Sequence, residues 1–229
     1  AGSRAARLVA AEPDGELAEV VLDRCTELVA YQSAAYAESY ARVVERVRQV
    51  ESERVPGSTD ELALAVARNL YKLMAYKDEY EVARLSLDPA LGEQIAAQFG
   101  PDARYSYRLH PPALRAMGMK RKIALGRWAK PLFVGLRAGR RVRGTPLDLF
   151  GRAEVRRVER RLIDEYRAEI DRLLDGLGPD DHLSAVEIAE LPDMIRGYEE
   201  VKLRNVAAYE ARLGELRPAQ QARAAGRAM

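Results

Sequence analysis

Histidine and cysteine, the side chains that most often do chemistry near neutral pH, are scarce in this sequence. The chain has two histidines, His110 and His182, and one cysteine, Cys25. Neither histidine stands at a helical ligand spacing from a carboxylate, so an HExxH or paired ExxH metal centre is excluded. One cysteine cannot form a disulfide within the chain or hold an iron–sulfur cluster alone. We predict no metal ligand, a buried structural role for Cys25, and a reducing cytoplasm as the compartment.

The common motifs of phosphate binding and acyl transfer are also missing. The sequence contains no GxGxxG, no GxxxxGK[ST] and no GxSxG, so neither a phosphate-binding loop nor a nucleophile elbow is present. His182 follows two aspartates, and we interpret it as a solvated residue of a first helical turn. No catalytic residue is therefore predicted in this chain.

A basic tract is the sequence feature that most needs an explanation. Residues 103–147 carry 12 basic and no acidic side chains, between flanks with net charges of −7 and −3. The tract either packs against the acidic flanks or docks an anionic partner. That partner could be an acidic protein, coenzyme phosphates, or a membrane surface reached through Trp128 and Phe133; nucleic acid is disfavoured because stacking aromatics are not interleaved with the charges. The predicted partner-binding residues are Arg115, Lys120, Arg121, Lys122, Arg127, Lys130, Arg137, Arg140, Arg141 and Arg143.

One lysine interrupts an apolar helical face. Lys77 stands between Leu73 and Tyr80 in a segment that continues to Glu81. A lysine at such a position must extend its amine to solvent or pair with a carboxylate. We predict a structural ion pair between Lys77 and Glu81.

The elements that would position these residues are predicted to be helices, because strong helix formers dominate and no run reaches the ~18 apolar residues of a membrane span. Steps of three and four predict one helix over 17–50, and Ser58 with Glu61 forms a capping-box pattern before the next helix. Asp88-Pro89 opens a short helix that Gly100 closes. Residues 104–110 alternate as one extended arm without a visible partner. Further helices are predicted from 155 to 177, from 180 to 190 and from Pro192.

The predicted fold class is all-α, with two long-helix modules joined by a basic, turn-rich connector and a short extended arm. Residues 1–16 are interpreted as a linker remnant of a processed piece, because the chain begins Ala-Gly-Ser. One helical domain is predicted over 17–217, made of a hairpin module at 17–100, the connector at 101–150 and a second module at 151–217. A disordered tail is predicted at 218–229.

Five long segments of the chain resemble a known family. They are similar, in order, to the C-terminal helical region of the fused indolepyruvate:ferredoxin oxidoreductases, and the resemblance covers roughly residues 17–210. The segments are LYKLMAYKDEYEVARL (70–85), LHPPALRAMGMKRKIALGRW (109–128), RGTPLDLFG (143–151), EVRRVERRLIDEY (154–166) and AVEIAELPDMIRGYEEVKLRNV (185–206).

The resemblance implies a parent enzyme that oxidatively decarboxylates aryl 2-oxoacids, with thiamine diphosphate, an iron–sulfur cluster and coenzyme A, and that reduces ferredoxin. Those sites belong to other domains of the family, and this sequence carries neither a Gly-Asp-Gly motif nor cluster cysteines. The resemblance therefore implies that this chain is an accessory domain that holds no cofactor itself. It would contact the catalytic domains, ferredoxin or a second copy of the chain. The alternative hypothesis is a free-standing helical module that binds a phosphorylated ligand or an acidic membrane surface.

Overall fold

Nine α-helices and one pair of short strands make up the part of the chain that the structure describes. The structure is a computed structural model, and it describes residues 15–100, 106–109, 123–125, 129–148 and 150–227. The helices are α1 Glu16–Tyr31, α2 Ala34–Arg54, α3 Glu61–Met74, α4 Glu79–Ser86, α5 Pro89–Phe99, α6 Lys130–Ala138, α7 Glu154–Asp175, α8 His182–Glu190 and α9 Glu199–Arg227. Three short 3-10 segments join them, at Gly139–Val142, Phe150–Arg152 and Leu191–Met194. The predicted all-α class is confirmed.

The chain divides into two compact units. The first takes the described residues up to Ala75 together with those from Glu159 onward, and the second is formed by Tyr76–Val158. The predicted hairpin module at 17–100 is thus divided after Ala75, and its first part shares a unit with the helices of the predicted second module.

In the first unit, helices α1, α2 and α3 pack against one another, and α8 packs against α3 and α9. The core is aliphatic and tyrosine-rich, because each helix turns one apolar stripe inward. Tyr40 and Tyr166 are fully buried, and their hydroxyls donate hydrogen bonds to the carbonyl oxygens of Ala67 and Ala189, at 3.0 and 2.8 Å. These two bonds tie α2 to α3 and α7 to α8 while satisfying both buried hydroxyls.

The single helix predicted over 17–50 is wrong, because the chain breaks at Gln32-Ser33. Ser33 has extended backbone, and its hydroxyl accepts a hydrogen bond of 3.2 Å from the Tyr36 amide. A serine that caps a new helix starts a second helical axis. The apolar spacing continues across the break, so periodicity alone did not reveal it.

The second unit consists of α4, α5, α6, two 3-10 segments, the strand pair and the first turn of α7. Helix α5 is confirmed, since Asp88 caps it by accepting a bond of 3.0 Å from the Ala90 amide, and Gly100 ends it at a positive φ of 91°. Helix α6 packs against α4, with Phe133 buried against Ala83 and Ala129.

The extended arm has a partner, which corrects the prediction of a lone strand. Strand β1, Tyr107–Leu109, pairs antiparallel with β2, Ile123–Leu125, and Tyr107 lies opposite Leu125. Backbone donors and acceptors of an isolated strand would be left unpaired, and a second strand satisfies them.

Helix α9 is longer than predicted. It continues through Pro218 to Arg227, a stretch that was predicted to be a disordered tail from residue 218 onward. Alanine, glutamine and arginine dominate the residues after Pro218, and their helix propensity favours continuation. None of the described helices is both long and apolar enough to cross a membrane.

Candidate functional sites

The predicted ion pair between Lys77 and Glu81 is wrong. The Glu81 carboxylate instead binds Arg84, one turn further along α4, through two hydrogen bonds of 2.9 and 2.8 Å. The Lys77 side chain is exposed. Lys77 precedes α4 while Arg84 lies within it, so the i,i+3 spacing favours Arg84 as the partner.

Asp78 performs the structural role in this segment. Its side chain caps α4 by accepting a hydrogen bond of 2.8 Å from the Glu81 amide. It also receives both arms of the Arg143 guanidinium, with Nε–Oδ2 at 2.5 Å and Nη2–Oδ1 at 2.8 Å. Because Asp78 and Arg143 are both nearly fully buried, each leaves an uncompensated charge if the other is removed.

Arg143 was predicted to bind a partner, and the structure contradicts that role. Its side chain is 3% exposed and occupied by Asp78, and its guanidinium lies 5.4 Å from the ring centroid of Tyr80. The arginine therefore stabilises the second unit from inside. No external anion can reach it without breaking a buried ion pair.

Tyr80 and Asp148 extend this internal network. The Tyr80 hydroxyl donates to Asp148 Oδ1 at 3.2 Å, and the Asp148 carboxylate also accepts from the backbone amides of Gly144 and Gly151, each at 2.9 Å. Burial and the nearby Asp148 charge raise the pKa of Tyr80 well above its usual value. The tyrosine is held neutral as a hydrogen-bond donor.

The remaining described residues of the predicted basic set are at least partly open to solvent. Lys130, Arg137 and Arg141 are exposed, and Arg140 is partly exposed. Phe133 is 1% exposed and packs in the core, which contradicts the hypothesis that it reaches a membrane surface. Five predicted residues lie outside the described residues, namely Arg115, Lys120, Arg121, Lys122 and Arg127.

Arg140 occupies an unusual environment within this basic segment. Its Nε atom is buried and has no hydrogen-bond partner among the described residues. Its pKa is lowered, first by burial and then by the neighbouring charges of Arg137, Arg141, Arg143 and Arg84. All of these neighbouring charges are guanidinium groups, so repulsion between like charges disfavours the protonated form of Arg140.

A second cluster of titratable side chains lies in the first unit, around Glu51 at the end of α2. Glu51 is fully buried, and its two carboxylate oxygens accept hydrogen bonds from the amides of Leu62 and Ala63, at 2.9 and 2.8 Å. These amides belong to the first turn of α3, where backbone donors have no partner within the helix. A residue eleven positions upstream thus caps α3.

His182 completes this cluster. Its Nε2 lies 2.7 Å from Glu51 Oε1, and the side chain is only 11% exposed, so the interpretation of His182 as a solvated residue is wrong. In the tautomer that carries a proton on Nε2, the imidazole donates this hydrogen bond to the carboxylate. One ligand atom from each of Glu51, Glu61 and His182 lies within 4.8 Å of the others, a spacing that could hold a metal ion. However, Glu51 already serves several donors, and the hydrogen bonds account for the arrangement.

Ser58 and Glu61 interact as the sequence suggested, but not as a conventional capping box. The Ser58 hydroxyl lies 2.8 Å from Glu61 Oε2 and 2.6 Å from Glu51 Oε1. The N-cap residue is Asp60, at a positive φ of 66°. Hydrogen bonds from Ser58, from the Glu61 amide and from Thr59 lower the pKa of Glu61 to about 2.

Sequence reasoning missed the Asp78–Arg143 pair and the Glu51 cap. Asp78 stands three residues before Glu81, and an acidic residue at that spacing is a recognisable N-cap signal. No comparable signal marks Glu51, because it serves a helix that begins ten residues later. The prediction for Cys25 is confirmed, since the thiol is buried and burial raises its pKa to about 11.

Comparison with protein families gives a match over most of the chain. Residues 17–215 match a family described as a family of unknown function, DUF6537. No curated protein and no solved structure matches the chain.

Proposed function

We propose that this chain, which belongs to the DUF6537 family of unknown function, is an accessory, non-catalytic domain of an oxidoreductase of the indolepyruvate:ferredoxin type. The proposal starts from the resemblance of five segments between residues 70 and 206 to the C-terminal helical region of those enzymes. In such an enzyme thiamine diphosphate, the iron–sulfur cluster and coenzyme A bind to other domains. This chain would contribute a helical scaffold and a surface for an anionic partner.

The use of the buried polar groups supports a scaffold role. Glu51 and Asp78 each cap a helix and each bind a second side chain, His182 and Arg143 respectively. Carboxylates committed to backbone amides and buried partners stabilise the fold rather than exchange protons with a substrate.

The observation that carries the docking role is the exposed basic segment at the end of the connector. Lys130, Arg137 and Arg141 are exposed, and the sequence from 103 to 147 offers them no carboxylate. Exposed cations that lack local counter-charges attract anionic partners over about the 8 Å Debye length of physiological salt. An acidic ferredoxin and the phosphates of coenzyme A are the two partners that fit the proposed parent enzyme.

The test measures indolepyruvate oxidation by an enzyme preparation that contains this chain. The variant is K130A/R137A/R141A, assayed with ferredoxin and separately with methyl viologen, which is itself cationic. We expect the KM for ferredoxin to rise about tenfold at low salt, because three exposed ion pairs contribute ~0.5 kcal/mol each. The rate with methyl viologen should stay unchanged. A rise in the KM for coenzyme A instead would assign the segment to the coenzyme.

The matched control removes three exposed charges elsewhere in the same unit. The variant K77A/R152A/R157A changes the net charge equally and should leave both KM values unchanged. If the first triple variant changes neither KM, the docking role is wrong. If no preparation containing the chain oxidises an aryl 2-oxoacid, the proposed parent enzyme is wrong.

A further inference from the structure

Three arginines lie close together where α6 ends. Arg137 is in the last turn of α6, and Arg140 and Arg141 follow in the 3-10 segment Gly139–Val142. Spacings of three and four residues bring side chains to one side of a helical segment. The charges of Arg137 and Arg141 both act on the guanidinium of Arg140.

Two of the arginines near Arg140 already have carboxylate partners. The charges of Arg84 and Arg143 also lower the pKa of Arg140. Each of these two arginines has its own bidentate partner, since Arg84 binds Glu81 and Arg143 binds Asp78. These pairs leave the three positive charges of Arg137, Arg140 and Arg141 uncompensated among the described residues. A cluster of three cations is costly unless a counter-ion joins it.

We propose that Arg140, flanked by Arg137 and Arg141, binds a phosphate or pyrophosphate group of a small ligand. The buried Nε–H of Arg140 has no acceptor among the described residues, and the rest of its side chain is partly exposed. Because Nε lies below the surface and the residue is partly exposed, an anion reaches Arg140 through the terminal nitrogens of its guanidinium. The site therefore has a partly buried guanidinium at its centre and exposed cations at its rim.

The charge and geometry of the cluster favour phosphate over carboxylate. A phosphate group carries nearly two negative charges near neutral pH and offers three acceptor oxygens, whereas a carboxylate carries one charge and two oxygens. Guanidinium forks match phosphate oxygens in bidentate geometry. The lowered pKa of Arg140 has the same origin, since burial and like charges disfavour its cation until an anion is bound.

This inference rests on the basic segment of the proposed function, but not on the parent enzyme. Its test is direct binding of inorganic pyrophosphate to the full chain by calorimetry at low salt. We expect wild type to bind with 1:1 stoichiometry and R140A to bind at least tenfold more weakly. R140K should be intermediate, because lysine keeps the charge but lacks the fork. R152A, which removes an exposed arginine of the same unit, should bind as wild type.

Thermal unfolding separates a binding role from a structural one. R140A should melt at the same temperature as wild type or higher, because it relieves repulsion and removes a buried donor without an acceptor. Pyrophosphate should raise the melting temperature of wild type and not that of R140A. The proposal is overturned if wild type shows no saturable binding, or if R140A and R152A weaken binding equally. An absence of pyrophosphate binding would not change the expected KM for ferredoxin. The phosphate site and the proposed parent enzyme can therefore be refuted independently.

Discussion

Glu51 and His182 stand 131 positions apart in the chain and share a hydrogen bond of 2.7 Å between carboxylate and imidazole. The same carboxylate caps α3 through the amides of Leu62 and Ala63. One buried side chain thus connects the end of α2, the start of α3 and the start of α8. The first unit is assembled from two separate stretches of sequence, and this cluster joins them.

We predict that E51A destabilises the first unit by about 3 kcal/mol, because it leaves two helix-terminal amides and an imidazole without their buried acceptor. Urea unfolding gives the change in free energy. Hydrogen exchange should show faster exchange at the amides of Leu62 and Ala63. E53A, which removes an exposed carboxylate from the same helix, should change stability by less than about 0.5 kcal/mol. Equal effects of E51A and E53A would contradict the capping role.

A second prediction concerns the acid dependence of the same cluster. Hydrogen bonds lower the pKa of Glu61 to about 2 from an ordinary value of 4.5, so the ionised form is favoured in the folded state. The stabilisation is present above pH 4.5 and is lost as the pH falls through about 2. We expect E61Q to have a lower free energy of unfolding than wild type at pH 6. The difference should be under about 1 kcal/mol, because the Glu61 side chain is half exposed. The difference should shrink at pH 3. A difference that stays constant with pH would show that ionisation is not its cause.

The sequence predicted those parts of the fold that depend on local signals. Asp88-Pro89 and Gly100 define α5 by rules that act within a few residues, and the apolar face of α7 follows its helical period. The break between α1 and α2 at Ser33 was missed because the helical spacing of apolar residues continues across it and hides the capping serine. The strand Ile123–Leu125 was missed because three residues are too few to show a period.

The candidate sites were harder to predict, because the role of each charged side chain depends on whether the fold buries it. Arg141 and Arg143 are alike in type and neighbourhood, yet Arg141 is exposed and Arg143 is buried against Asp78. Nothing local in the sequence separates them, since the partner lies 65 positions away. His182 was misread for the same reason, because its partner Glu51 comes from a distant helix.

A third prediction uses this pair of arginines. R143A should destabilise the second unit by about 3–5 kcal/mol, because it leaves Asp78 buried without its counter-charge. R141A should change stability by less than about 0.5 kcal/mol. R143K should be intermediate, since an ammonium cannot reproduce the two hydrogen bonds of the fork. Thermal and urea unfolding measure all three variants. If R141A proves as destabilising as R143A, the buried ion pair does not carry the stability assigned to it.

The last prediction tests the burial of Cys25. Burial raises the pKa of its thiol to about 11, so only about one thiol in a thousand is ionised at pH 8, and the thiolate is the reactive form. We expect a thiol-specific reagent to label the native protein at least tenfold more slowly than the urea-unfolded protein. The raised pKa also makes the stability of the fold depend on pH. The stabilisation from burying the neutral Cys25 thiol is complete below pH 9 and is lost as the pH rises towards 11. C25A should therefore gain thermal stability relative to wild type across that interval, and it should show no labelling at any pH. Rapid labelling of the native protein at pH 8 would mean that α1 opens readily and that Cys25 is not held in the core.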